Sequence, residues 1–148
     1  MNNSIETKVT EMARATAARG AGQALYVSQP AAGFPAPGDD QVERVLDIND
    51  LVVQHPEATF YVRVAGDSMT GAGIFPNDVL VVDRAVEARS GMIVVAAVGG
   101  ELVVKELYQA AGRHELHSAN EAYQPIILGD DEACFIWGVV VGSVRQFR

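Results

Sequence analysis

Two side chains in this sequence could together perform acyl transfer: Ser68, in the stretch AGDSM, and Lys105, in ELVVKEL, 37 residues further on. A serine hydroxyl becomes a useful nucleophile only when a base takes its proton. Gly66 and Asp67 precede Ser68 where a strand-like run ends. A tight turn there can lift the hydroxyl clear of the chain and aim backbone N–H groups at one point, as an oxyanion requires. Gly-Asp-Ser is equally ordinary turn chemistry, so the serine alone means little. The three histidines are poor partners for it. His55 precedes Pro56 at a helix end, and His114 and His117, three apart in RHELH, fall on opposite faces of a strand. They read as solvated residues, not as a base or a set of metal ligands.

Lys105 is the other candidate base. Strand alternation places Val103, Lys105 and Leu107 on one face and Leu102, Val104 and Glu106 on the other. Burial among apolar neighbours disfavours an ammonium, so a lysine in that position can serve as a neutral base. The same pattern also suits a lysine whose stem packs on the sheet while its head reaches water.

These residues need a scaffold, and the rest of the chain supplies its outline. With 148 residues, 49% of them hydrophobic, there is material for one core. A formal charge of −8 provides no positive field for phosphate backbones, so direct sequence-specific DNA binding is disfavoured. The single cysteine, Cys134, lies in an apolar run and reads as a buried, inert thiol. No stretch approaches the roughly 20 apolar residues of a membrane span. The N-terminus has no apolar core of a secretory signal, so a soluble cytoplasmic protein without a membrane anchor is expected.

Residues 1–40 are rich in alanine and hold three of the six prolines. Ile5, Val9, Met12 and Ala13 follow a helical spacing that predicts a short, weak helix, and a mobile arm punctuated by Gly and Pro follows it. From Asp47 the texture changes. Asp47 is placed to cap a helix through INDLVVQ, which Pro56 stops after His55. TFYVRVA, DVLVVDR, MIVVAAV, ELVVKEL, RHELHSA, PIIL and CFIWGVVVGSVRQF read as strands, with Gly99-Gly100 as a hairpin turn. The expected fold class is mainly β: short, mostly antiparallel strands with one or two short helices, preceded by a flexible N-terminal arm.

The order of motifs is more specific than any one of them. VAGDSMTGAGIFPNDVLVVDR, the Gly-Gly hairpin with VVKEL, then NEAYQPI, then WGVVVG, together resemble the LexA/UmuD family of self-cleaving serine–lysine peptidases. AAGFPAP, LDINDLVVQHPEATFYVRVAGDSM and IVVAAVGGELVVKEL carry a closer likeness to its UmuD branch, the accessory subunits of DNA polymerase V. The resemblance runs from about Ala32 to the C-terminus and implies a division into an arm, 1–40, and a peptidase-like domain, 41–148.

It further implies Ser68 as nucleophile, Lys105 as general base, and the backbone N–H groups of Asp67 and Ser68 as the oxyanion hole. The scissile bond would be Ala32–Gly33 in AAGFP, where a small side chain precedes a glycine that lets the backbone come close. By the same resemblance no cofactor or metal is needed. A RecA–single-stranded DNA filament would stimulate cleavage in the SOS response to DNA damage. The trimmed homodimer would act with a UmuC-like Y-family polymerase subunit in translesion synthesis. FIWGVVVGSV could supply a sheet edge shared between protomers, or serve as a plain core strand. Only 32 residues precede the expected bond, too few for the helix-turn-helix domain of a LexA repressor. The competing function is a non-cleaving scaffold of the same fold that regulates a polymerase or a LexA-type repressor by binding.

Overall fold

The computed structural model describes residues 6–15, 23–26, 42–129 and 134–148. Among the described residues ten strands follow in order: β1 Lys8–Arg14, β2 Gln23–Tyr26, β3 Val42–Leu46, β4 Thr59–Ala65, β5 Val79–Asp83, β6 Ile93–Val98, β7 Glu101–Ala110, β8 Arg113–His117, β9 Ile126–Leu128 and β10 Cys134–Val144. The helix α1 covers Ile48–Val52. Asp47 caps it as expected, its carboxylate accepting from the Asn49 N–H at 2.8 Å. Pro56 then opens a separate 3-10 turn, Pro56–Ala58.

All pairings are antiparallel. The main sheet runs β1-β4-β5-β10-β6-β7-β8-β9, and β1 also pairs with β7 through Lys8 and Val103. Six strands therefore close a ring, β1-β4-β5-β10-β6-β7, with β8 and β9 extending from it. The closure is reinforced by the Val104 N–H, which donates to the Thr7 carbonyl at 3.0 Å. Strands β2 and β3 form a separate ribbon.

Val94 and Ala96 on β6, and Val103 and Leu107 on β7, pack into one apolar cluster with Leu116 and Val139. The residues between them, Val95 and Val104, belong to another cluster with Val62, Val64, Met69, Ile74, Leu80 and Val82. The β6–β7 hairpin is thus apolar on both faces, which explains why its sequence reads as a continuous hydrophobic run. Its turn is Gly99-Gly100, both at positive φ (58° and 84°).

Two expectations need correction. The N-terminal helix is absent: residues 8–14 are strand β1, because the edge of β4 offers a ladder of backbone partners that a short isolated helix lacks in water. FIWGVVVGSV lies in β10, whose first half, Cys134–Val139, pairs with β6 and whose second half, Val139–Val144, pairs with β5, so that only Val139 has a strand partner on both sides. Cys134 is half-buried at the start of β10, not fully enclosed.

Candidate active site

Ser68 follows β4 in a turn that Gly66 enters at φ 94°, a conformation glycine adopts without strain. Met69, completely buried in the core, anchors the next position. A short 3-10 turn, Thr70–Ala72, completes the loop. A second loop, just after β8, clamps onto it. The Ala119 N–H points at the Met69 sulfur (3.4 Å), and the Gly71 N–H donates to the Ala119 carbonyl (3.0 Å). Gly71 is required at this crossing: a methyl group on it would lie 2.5 Å from the Ala119 carbonyl oxygen.

Lys105 sits in the middle of β7 with Val103 and Leu107 as its apolar neighbours, the face expected from alternation. Only 1% of its surface is exposed, so the snorkelling alternative does not apply. Its amine head is met by three groups. Nζ donates to Ser118 Oγ at 2.6 Å, pairs with Glu6 Oε1 at 2.5 Å, and lies 5.5 Å from the centre of the Tyr123 ring. The Tyr123 hydroxyl is buried without a hydrogen-bond partner. Burial first, then the negative charges of Asp67 and Glu6, hold its pKa above the ordinary tyrosine value.

Ser68 is fully buried, and its Oγ accepts the backbone N–H of Thr7 at 2.8 Å. Glu6 and Thr7 are consecutive. The Thr7 N–H thus reaches the candidate nucleophile, after β4, and the neighbouring Glu6 carboxylate reaches the candidate base, on β7. Asp67, whose N–H was expected to serve the oxyanion, precedes Ser68 in the same turn. Ala32 and Gly33 lie outside the described residues.

The histidines stand elsewhere. His55 Nδ1 pairs with Asp83 Oδ2 (2.6 Å), His114 meets the Gln109 side chain (3.3 Å), and His117 pairs with Glu115 (2.9 Å). Among the described residues, no three His, Cys, Asp or Glu side chains converge as a metal site, and no helix is long and apolar enough to cross a membrane.

Sequence reasoning missed four residues at this site: Glu6, Thr7, Ser118 and Tyr123. Ser118 had a usable signal. The β7–β8 hairpin pairs Ala110 with Arg113 and Glu106 with His117. Counting one step further back from the turn sets position 118 opposite Lys105.

A family profile described as Peptidase S24-like matches residues 24–141. Protein ImpA of Salmonella typhimurium is 37% identical over 124 residues, covering 84% of each chain. Protein SamA of Salmonella typhimurium (strain LT2) is 39% identical over 124 residues, covering 84% of this chain and 86% of the relative. The LexA repressor of Bordetella petrii is 40% identical over 120 residues, 80% of this chain but 53% of the repressor.

Proposed function

The chain belongs to the Peptidase S24-like family, and from that membership we propose that it is a serine–lysine peptidase whose substrate is its own N-terminal arm. The observation that supports this function is that two buried polar side chains, Ser68 and Lys105, are contacted by the consecutive residues Thr7 and Glu6. Burying a lone lysine is costly unless a partner or a task compensates it.

In the proposed reaction neutral Lys105 takes the Ser68 proton while Ser68 Oγ attacks the carbonyl carbon of Ala32. The N–H groups of Asp67 and Ser68 hold the oxyanion. Lys105 then protonates the Gly33 nitrogen as the Ala32–Gly33 bond breaks, and water hydrolyses the acyl-enzyme, restoring Ser68. Ser118 holds the lysine head in position through its 2.6 Å contact. No step requires a metal or cofactor. Because the substrate is tethered, its effective concentration is already high, and regulation must act by restraint.

The UmuD-like motifs, together with the identities to ImpA, SamA and LexA, support a place in the SOS response. RecA–single-stranded DNA filaments would stimulate cleavage in the cytoplasm. The product, residues 33–148, would act as a homodimer with a UmuC-like translesion polymerase subunit. The division into an arm of residues 1–40 and a domain of residues 41–148 belongs to the same proposal.

Intact-mass measurement after incubation at neutral and strongly alkaline pH tests it, with Ser68→Ala and Lys105→Ala alongside. Loss of residues 1–32 by the parent alone, faster at high pH, is the expected result. A parent left whole at both pH values, and again with RecA filaments added, would favour the non-cleaving scaffold.

A further inference from the structure

Residues 6–15 occupy the cleft that a substrate must enter, and they do so as an extended strand. Six residues of β1 pair with β4, from Lys8 opposite Ala65 to Arg14 opposite Phe60. The Thr7 carbonyl accepts from Val104 on β7, and the Thr7 N–H donates to Ser68 Oγ. Backbone held on both sides, with one peptide unit at the nucleophile, is how a peptidase cleft receives a peptide strand.

The residue before that unit is glutamate. Its carboxylate lies 2.5 Å from Lys105 Nζ, whose head Ser118 also contacts. A protonated lysine amine has three donors and no lone pair, so in this ion pair it cannot take a proton from serine. The N–H of Thr7 meanwhile occupies the oxygen that would have to attack.

We infer that residues 6–15 are an internal pseudosubstrate: a strand that binds the active cleft in substrate fashion while Glu6 and Thr7 disarm Lys105 and Ser68. The inference rests on the proposed self-cleavage and specifies how it is restrained. The Ala32–Gly33 bond and the Glu6–Thr7 unit cannot both lie against Ser68. Cleavage therefore waits for β1 to leave, and whatever triggers it acts by drawing β1 out. Since residues 6–15 precede the scissile bond, the first turnover also discards the inhibitor. The product keeps an open β4 edge, Phe60–Ala65, able to pair with another extended peptide.

The test compares the full-length parent, Glu6→Gln and Thr7→Pro. Glutamine keeps the shape without the charge, and proline removes the N–H from Ser68. Self-cleavage at neutral pH is followed by intact mass, and amide hydrogen exchange is measured on the whole parent. Residues 8–14 should exchange slowly, and both variants should cleave about tenfold faster than the parent or more, as loss of one hydrogen bond to a charged or reacting group would give. Exchange of residues 8–14 at free-peptide rates in the uncut parent would overturn the inference whatever the cleavage result. So would slow exchange combined with variants that cut the Ala32–Gly33 bond no faster than the parent. If neither the parent nor either variant cuts at any pH, self-cleavage itself fails and the inference falls with it.

Discussion

Replacing Gly71 with alanine should separate the clamp that positions the site from the residues that would do the chemistry. The added methyl would meet the Ala119 carbonyl oxygen at 2.5 Å and its carbon at 3.3 Å. Comfortable carbon–oxygen contacts begin near 3.3 Å, so the two loops must part by about 0.8 Å. That same oxygen accepts the Gly71 N–H at 3.0 Å, and the separation would break the bond. The obstacle is backbone on both sides, which no rotamer change relieves. Overpacking of this kind costs about 1–3 kcal/mol. Ala119 adjoins Ser118, the contact on Lys105, and Gly71 lies three residues beyond Ser68, so the shift falls between nucleophile and base. A displacement near 1 Å in such an arrangement can lower a rate by about 100-fold.

Urea unfolding, read on a Ser68→Ala background to keep the chain whole, should show the stability loss. Intact-mass kinetics at a temperature where the variant remains folded should show self-cleavage slowed by about 10- to 100-fold. Gly73→Ala is the control. Its φ is +84° and nothing lies within 4 Å of the new methyl, so it strains the backbone without touching the clamp. It should lose about 1 kcal/mol of stability and far less activity. A Gly71→Ala protein that cuts within twofold of the parent would refute the clamp as the positioning device.

Asp78 gives a prediction in pH. Its carboxylate takes two hydrogen bonds from Arg145 (2.7 and 2.8 Å) and one from the Phe75 N–H (2.9 Å), and the Arg145 contact chiefly holds its pKa below the ordinary 3.8. A depressed folded-state pKa stabilises above the unfolded value and is lost as pH falls through the folded one. The urea midpoint should thus stay level near neutrality and drop below about pH 4. Asp78→Asn should lower the midpoint at pH 7 and flatten the acid limb, and an unchanged limb would exclude this ion pair as its source. Tyr123→Phe removes a buried hydroxyl that has no partner, so its stability should match or exceed the parent's by about 1 kcal/mol. A clear loss in urea would mean that the hydroxyl is satisfied in solution.

What could be read from the sequence follows the range of each interaction. Alternation over ELVVKEL predicted that Lys105 shares a face with Val103 and Leu107, because strand parity is a local property, and all three are buried. The Asp47 cap and the Gly99-Gly100 turn are local too, and both occur. Ser118 needed only the register of one hairpin, counted from its turn. Glu6 and Thr7 were beyond reach: Thr7 meets Ser68 across 61 residues, and nothing in SIETKVTEMAR marks it as a strand. Its apolar spacing at Ile5, Val9 and Met12 points to a helix instead. The sheet edge overruled that spacing, as tertiary partners regularly overrule weak local propensity.

The side chains of β1 show why the same sheet can release it. From Thr10 to Arg14 every side chain is exposed, including Met12. Of the described segment only Thr7 and Ala15 are buried, and Val9 is half-covered against the core. The clusters that hold the fold together come from β4–β8, β10 and the loop after Ser68. The segment is therefore held by backbone ladder bonds, by the Glu6 and Thr7 contacts at the cleft, and by polar contacts of Lys8 with Glu101 (2.8 Å), Thr10 with the Arg63 carbonyl (3.2 Å) and Glu11 with Arg63 (3.4 Å), and little apolar surface opposes its departure. The Thr7 hydroxyl is buried without a partner, a further cost that departure relieves. A strand that closed the ring by inserting large apolar side chains could leave only by unfolding the core. One that closes it through Lys8, Thr7 and Glu6 can leave while β4–β10 stay folded. The contacts that block Ser68 and Lys105 are thus among those that fasten the strand. Weakening them loosens the strand and frees the site together.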